Sequence, residues 1–195
     1  MDGVRAGSLD FAIVNKGRRR LDLPAIDMLN EEMVVVTSAG SARDLGSPLK
    51  FRDLANLPLI LPSKRNGLRL IVDKIADDED IELSIRLEVD AFATIEQLVR
   101  NSDWVTVLPA IAVGRGLSEG FLRAHRIVAP RVTRQIFCVH NPRRPLSAAA
   151  RLFVDVITAE LAAAQSPPVI PPRCSLRSHR SSPSRKSDVS SSRSR

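Results

Sequence analysis

The chain has 195 residues, 44% of them hydrophobic and 26% charged, which excludes collagen, coiled coil and wholesale disorder. Two cysteines, Cys138 and Cys174, are too few for a disulfide framework and fit a reducing compartment. The net charge of +7 suggests nucleic acid until it is divided. Residues 166–195 hold seven Lys/Arg against one acid, Asp188, so residues 1–165 carry only +1 and show no electrostatic footprint for DNA.

The longest nearly apolar stretch, 104–113, contains Thr106 and Pro109 and is too short to span a bilayer. Met1-Asp2-Gly3-Val4-Arg5 does not open like a secretory signal, so a cytoplasmic chain without a membrane partner is expected.

In chain order, Leu9-Asp10-Phe11-Ala12-Ile13-Val14 reads as a strand, and Arg18-Arg19-Arg20 as a solvated loop. Residues 32–38, with Met33-Val34-Val35-Val36, form another strand, with 26–30 as its pairing candidate. A short helix covers 51–56, and Pro58-Leu59-Ile60-Leu61-Pro62 is a short buried strand. Leu68, Ile71, Val72, Ile75 and Ala76 recur at helical spacing, with Asn66 as cap. Asp77-Asp78-Glu79-Asp80 would sit poorly against the helix dipole, so the acidic run is placed outside the last turn. Leu83, Ile85, Leu87 and Val89 share one face of a strand; Phe92, Ile95, Leu98 and Val99 stripe a helix; 105–108 is a strand ended by Pro109. A short helix follows, then Gly114, Gly116 and Gly120 mark turns. Strands over 122–128 and 133–140 precede a long helix striped by Ala150, Phe153, Val154, Ile157 and Leu161, with Ser147 as cap. Interleaved strands and helices predict an α/β architecture with mainly parallel pairing.

Residues 166–195 are a separate object. Eleven of the thirty are Ser and five are Pro, a composition that cannot bury enough apolar surface to offset ordering entropy and predicts disorder. Pro168-Val169-Ile170-Pro171-Pro172-Arg173 fits a PxxPxR pattern, which a Pro-rich linker also produces by chance.

No phosphate loop, dinucleotide fingerprint, GxSxG elbow or HExxH occurs. Cys138 and His140 share a strand face but lack further ligands at useful spacing, and a strand cysteine is usually a small hydrophobe. No catalytic residue, metal or cofactor is assigned. What remains is binding geometry: in open α/β sheets ligands sit beyond the carboxyl ends of strands, beside helix N-termini. Three ends stand out: Thr37-Ser38, Ser63-Lys64-Arg65-Asn66-Gly67 and Asp90-Ala91-Phe92-Ala93-Thr94. Ser63 and Lys64 suit a carboxylate or other small anion; alternatively Ser63 and Asn66 only cap while Lys64 and Arg65 are solvated.

Several runs, in order, resemble the effector-binding domain of LysR-type transcriptional regulators. They are Gly7-Ser8-Leu9-Asp10-Phe11-Ala12-Ile13-Val14, Leu54-Ala55-Asn56-Leu57-Pro58-Leu59-Ile60-Leu61-Pro62-Ser63 with Gly67-Leu68-Arg69, Glu88-Val89-Asp90, Val105-Thr106-Val107-Leu108-Pro109 and Arg144-Pro145-Leu146-Ser147. The resemblance covers roughly residues 3–162. It implies two Rossmann-like subdomains of the type II periplasmic-binding-protein kind, with 1–57 and 131–164 in the first and 58–130 in the second. It implies a small organic effector, a carboxylic acid by the anion argument above, held between them. The matching positions are Thr37 or Ser38, Ser63, Lys64, Arg65, Asp90 to Phe92, Thr106, Pro109 and Ile111. For the complete protein it implies a homo-oligomer that meets DNA through a separate N-terminal domain.

Three departures accompany the resemblance. The winged helix-turn-helix with its linker helix is not in this chain, nor are the first strand and helix of subdomain one, so that subdomain is expected to be incomplete. Ser102-Asp103-Trp104 stands where the family has Gly-x-Gly. A ligand-sensing module, not an enzyme, is the reading these features favour. The alternatives are a solute-binding protein of the same fold and a non-functional regulator fragment.

Overall fold

The computed structural model describes residues 1–15, 22–43 and 45–164. The Arg18-Arg19-Arg20 loop and the Ser/Pro/Arg-rich tail lie outside the described residues. The elements in order are α1 (Asp2–Arg5), β1 (Phe11–Asn15), β2 (Ala25–Ser38), β3 (Leu49–Lys50), a 3-10 helix (Phe51–Asn56), β4 (Leu59–Leu61), α2 (Gly67–Asp78), β5 (Ile85–Glu88) and α3 (Phe92–Arg100). They continue with β6 (Thr106–Pro109), a 3-10 turn (Ala110–Val113), α4 (Gly114–Ser118), β7 (Leu122–Val128), β8 (Thr133–His140) and α5 (Ala148–Ala164).

The two stretches read as separate strands, 26–30 and 32–38, are one strand, β2. Its first half pairs antiparallel with β8, from Ala25↔Val139 to Glu32↔Thr133, through a register shift between Asp27 and Leu29. Its second half is flanked by β6, Met33↔Pro109 to Val36↔Thr106, and by β7, Val34↔Arg126 to Ser38↔Leu122, both antiparallel. The Met33-Val34-Val35-Val36 run is buried throughout, as a strand covered on both faces requires. β1 pairs antiparallel with β8 at the sheet's edge.

The expectation of mainly parallel pairing is corrected. β2 and its partners β6, β7 and β8, with β1 on β8, are antiparallel; parallel pairs are confined to β3–β7, β4–β5 and the bridge from Leu59 to Val105. The cause is that β2 runs through both halves of the protein against the strands it meets. The Ile60 amide donates to the Val105 carbonyl (2.8 Å) and the Val105 amide to the Pro58 carbonyl (3.0 Å), which ties β4 and β5 to the main sheet.

Two cores form. The larger gathers Met33 to Val36, Leu49, Phe51, Leu54, β4, the inner face of α2, Ile95 and Val99 of α3, and Val105 to Leu108. The smaller holds Met28, Leu29, Ile136, Cys138 and Val154, with Phe11, Ile157 and Leu161 packed against it. Residues 33–38 pair with β6 and β7, and Leu49, Phe51, Leu54 and Leu57 belong to the larger core. The chain crosses between Glu32 and Met33 and again near Val132, where the Met33 amide donates to the Val132 carbonyl at 2.8 Å.

Local signals explain most helices. Asn66 caps α2, its Oδ1 accepting from the Leu68 amide at 3.0 Å, and Ser147 Oγ accepts from the Ala150 amide at 3.1 Å at the start of α5. α2 continues through Asp77 and Asp78, against the expectation that the acidic run lies outside it; Asp78 is paired with Lys74 one turn back. Gly114 and Gly116 sit inside α4 rather than at turns; at Gly116 a Cβ would lie 2.5 Å from Leu122 Cδ1, so close packing calls for glycine there. Gly120, at φ +77°, does make a turn. Among the described residues no helix is long and apolar enough to cross a membrane.

Leu59 is fully buried at the junction of β4, β5 and β6, whereas Leu152 is largely exposed on α5. Leu59→Ala should cost about 2–5 kcal/mol, and Leu152→Ala less than about 0.5 kcal/mol, both read from urea unfolding. Equal losses would contradict the division between core and surface.

Candidate functional site

β4, β5 and β6 lie side by side and parallel, so their carboxyl ends emerge together at Ser63, Asp90 and Pro109. Arg69, on the first turn of α2 and 3% exposed, fixes two of these ends. Its Nη1 donates to the Pro62 carbonyl (3.1 Å) and to Glu88 Oε1 (2.8 Å), and its Nε to Asp73 Oδ1 (2.6 Å). Glu88 pairs with Leu61 in the β4–β5 register, so one guanidinium joins Pro62, just past β4, to Glu88, the last residue of β5. Burial works against the charge, but the hydrogen bonds to Asp73 and Glu88 outweigh it and hold the guanidinium pKa above its ordinary value.

The Ser63 amide points to a carboxylate of this chain: it donates to Asp90 Oδ1 at 3.0 Å. That bond is the main reason the Asp90 carboxyl lies below the usual range, helped by the side chains of Ser63 and Asn66 and the charge of Arg65. The anion expected from the Ser63 position is thus, in this conformation, an internal one. Lys64 and Arg65 are exposed beside it, and Phe92 opens α3 with its ring partly exposed.

Residues from the smaller core meet these strand ends. Ile111, two residues beyond β6, packs against the cluster of Met28, Leu29, Ile136, Cys138 and Val154. Asn15, the last residue of β1, approaches α2 so closely that a Cβ on Gly67 would lie 3.2 Å from Asn15 Nδ2. Ser63, Lys64, Arg65, Asp90, Phe92, Pro109 and Ile111 therefore share one end of the larger core, facing the smaller.

Thr37, Ser38 and Thr106 do not. Ser38 Oγ donates to the Arg100 carbonyl (3.0 Å) at the C-terminal end of α3, whereas Phe92 lies at its N-terminal end. Thr37 Oγ1 is buried at 3.1 Å from His125 Nε2. Thr106 opens β6 opposite Val36, buried, and its hydroxyl has no hydrogen-bond partner among the described residues. Thr37 and Ser38 lie apart from the other strand ends because β2 is antiparallel to β6, so its carboxyl end emerges at the opposite edge. Trp104 belongs to that far end too, half-buried against the larger core. The turn before it is built by Ser102 instead of glycine: Ser102 Oγ donates to the Leu98 carbonyl (2.7 Å) and accepts from the Trp104 amide (3.1 Å).

Sequence reasoning did not single out Asn15 or Glu88 as site residues. Asn15 ends a strand and was within reach of the strand-end rule. Arg69 appeared only as part of a motif; a charged residue between the apolar positions Leu68 and Val72 of an amphipathic helix is a signal for a buried ion pair. Among the described residues no three His, Cys, Asp or Glu side chains gather as metal ligands. Cys138 is buried in the smaller core, and that burial pushes its thiol pKa up, away from nucleophilic reactivity.

The lowered Asp90 pKa ties stability to pH. Stability from a carboxyl held below its unfolded value is fully present above about pH 4 and is lost as pH falls through the lower folded value. Asp90→Asn should therefore reduce the acid dependence of the urea midpoint between pH 6 and pH 2. An unchanged acid limb would contradict the Ser63–Asp90 contact.

The LysR substrate binding domain family matches residues 1–162. An HTH-type transcriptional regulator of Shigella flexneri, YfeR, is 28% identical over 157 residues, 80% of this chain and 50% of that protein. A probable RuBisCO transcriptional regulator of Chlorokybus atmophyticus is 26% identical over 176 residues, 87% of this chain and 55% of that protein. The chain thus spans about half the length of these relatives. Among solved structures, the CcmR regulatory domain of Synechocystis PCC6803 in complex with 2-PG superposes with a TM-score of 0.70 at 19% identity, covering 82% of this chain and 77% of that one. The effector-binding domain of QuiR in complex with shikimate gives 0.68 at 20% identity, covering 83% and 76%. With the family model matching residues 1–162, the chain belongs to the LysR substrate-binding-domain family, the effector-binding domains of LysR-type transcriptional regulators.

Proposed function

We propose that this domain senses a small organic acid in the space between the two cores, and that it acts by binding and not by catalysis. The observation that carries the reading is the convergence of three parallel strand ends, at Ser63, Asp90 and Pro109–Ile111, on the side where Asn15 and the smaller core lie. Lys64 and Arg65 supply positive charge there, and Phe92 and Ile111 supply apolar surface. Asp90 already holds the Ser63 amide and draws on the Ser63 hydroxyl as well, so a ligand carboxylate would compete with Asp90 for both. The crossings at Glu32–Met33 and Val132 are the hinge about which a ligand would favour one relative placement of the cores.

In a complete regulator, that placement would be read out by a separate DNA-binding domain and a homo-oligomeric assembly in the cytoplasm. The near-neutral body, with a net charge of only +1 over residues 1–165, supports this division of labour. The relatives bound to 2-PG and shikimate make those two compounds the first probes.

The test is calorimetry with 2-PG, shikimate and a panel of small carboxylic acids. An acid that binds wild type should bind the Lys64→Gln/Arg65→Gln double variant about tenfold more weakly, which is roughly 1.4 kcal/mol. Ser38→Ala should leave its affinity unchanged. Loss on Ser38→Ala with none on the double variant would move the site to the opposite end of the larger core and overturn this reading.

A further inference from the structure

A carboxylate stands fixed among the cations at the near end of the larger core, and it limits which acids that end can take. Asp90 is pinned from two sides. The Val89 amide donates to the Leu61 carbonyl at 3.0 Å, carrying the β4–β5 pairing to the residue before Asp90. The Ser63 amide then donates to Asp90 Oδ1, also at 3.0 Å. The side chains of Ser63 and Asn66 and the charge of Arg65 favour the ionised form further, so Asp90 is an anion at neutral pH. It is also exposed, and a carboxylate has about four acceptor positions, more than Ser63 and Asn66 fill.

The charges around Asp90 do not balance. Glu88 and Asp73, the neighbouring carboxylates, are both taken by Arg69. Lys64 and Arg65 are exposed. Arg65 acts on Asp90 through its charge, which leaves Lys64 as the uncompensated cation. From the smaller core, Asn15 brings a neutral carboxamide close to α2, its Nδ2 lying 3.2 Å from where a Cβ on Gly67 would be.

Such a site discriminates among acids by the group beside the carboxylate. Because Asp90 holds the Ser63 donors, a ligand carboxylate is left to Lys64. A bare acid there meets the like charge of Asp90, and a dicarboxylate meets it with two charges. A hydroxyl reverses the contact, since its O–H donates to Asp90 while the carboxylate turns to Lys64. An ammonium group also donates, but it meets the like charge of Arg65. Building on the acid-sensing reading above, we propose that the effector is a hydroxy acid, a monocarboxylate whose hydroxyl donates to Asp90. Asp90 is then the residue that selects it over unsubstituted acids, amino acids and dicarboxylates.

The 195-residue chain is titrated with two matched series, each one carbon skeleton with a single group changed. The first is mandelate, phenylacetate, phenylglycine and phenylmalonate; the second is lactate, propionate, alanine and methylmalonate. Calorimetry reads affinity and amide chemical shifts read the place. In at least one series the hydroxy acid should bind about tenfold more tightly than each of its analogues, with shifts at Ser63 and Asp90. Asp90→Asn keeps the side-chain shape and an oxygen for the Ser63 amide. It should abolish the preference over the dicarboxylate and cut that over the unsubstituted acid to about threefold or less. Lys64→Gln should weaken every acid that binds by a similar factor. Binding that depends on Lys64 but ignores the hydroxyl, or a preference that survives Asp90→Asn, would overturn the role of Asp90 and leave the acid-sensing reading standing. Binding by no member of either series would overturn the proposal outright. Shifts at Thr37 and Ser38 in place of Ser63 would overturn the reading beneath it.

Discussion

One strand shared between two cores governs this protein. β2 enters beside β8, passes its register shift at Asp27 and Leu29, and continues from Met33 to Ser38 between β6 and β7. A strand buried on both faces over half its length cannot slip by one residue without turning the Val34 and Val36 side chains to the wrong side. Its direction therefore fixes the polarity of everything it touches. Because β6 opposes β2, and β4 and β5 follow β6, three strand ends open toward the smaller core, while the carboxyl end of β2 opens away from it.

That polarity separates two sets of polar residues that look alike in one dimension. Ser38, Thr37 and Thr106 are consumed structurally at the far end, by Arg100, by His125 and by burial. Ser63, Lys64, Arg65 and Asp90 sit at the near end, where Arg69 ties β4 to β5 and Asp90 occupies the Ser63 amide. A buried guanidinium with three acceptors is costly to break, since removing it leaves Glu88 and the Pro62 carbonyl without their shared donor. The near end is thus held rigid from behind, while its exposed cations remain available in front.

Much of this is legible locally. The α2 stripe and its Asn66 cap, the Ser147 cap of α5, and the β7 and β8 strands follow from periodicity and capping chemistry that involve only neighbouring residues. Strand direction is different, since nothing in Thr37-Ser38 says which way its neighbours run. Core membership is no more local: the Leu49, Phe51 and Leu54 side chains are apolar in either core, and only pairing of residues 33–38 with β6 and β7 assigns them. Asp77 and Asp78 defied the dipole argument because Lys74 offsets the end of α2. Gly116 serves packing instead of a turn, since a Cβ there would lie 2.5 Å from Leu122 Cδ1.

The central claim is that ligand chemistry belongs to the near end of the larger core. Amide chemical-shift mapping on titration with 2-PG or shikimate tests it most directly. The account predicts shifts at Ser63, Lys64, Asp90 and Ile111, with Thr37, Ser38 and Trp104 unmoved. Shifts concentrated at Thr37 and Ser38, with Ser63 and Asp90 silent, would contradict it.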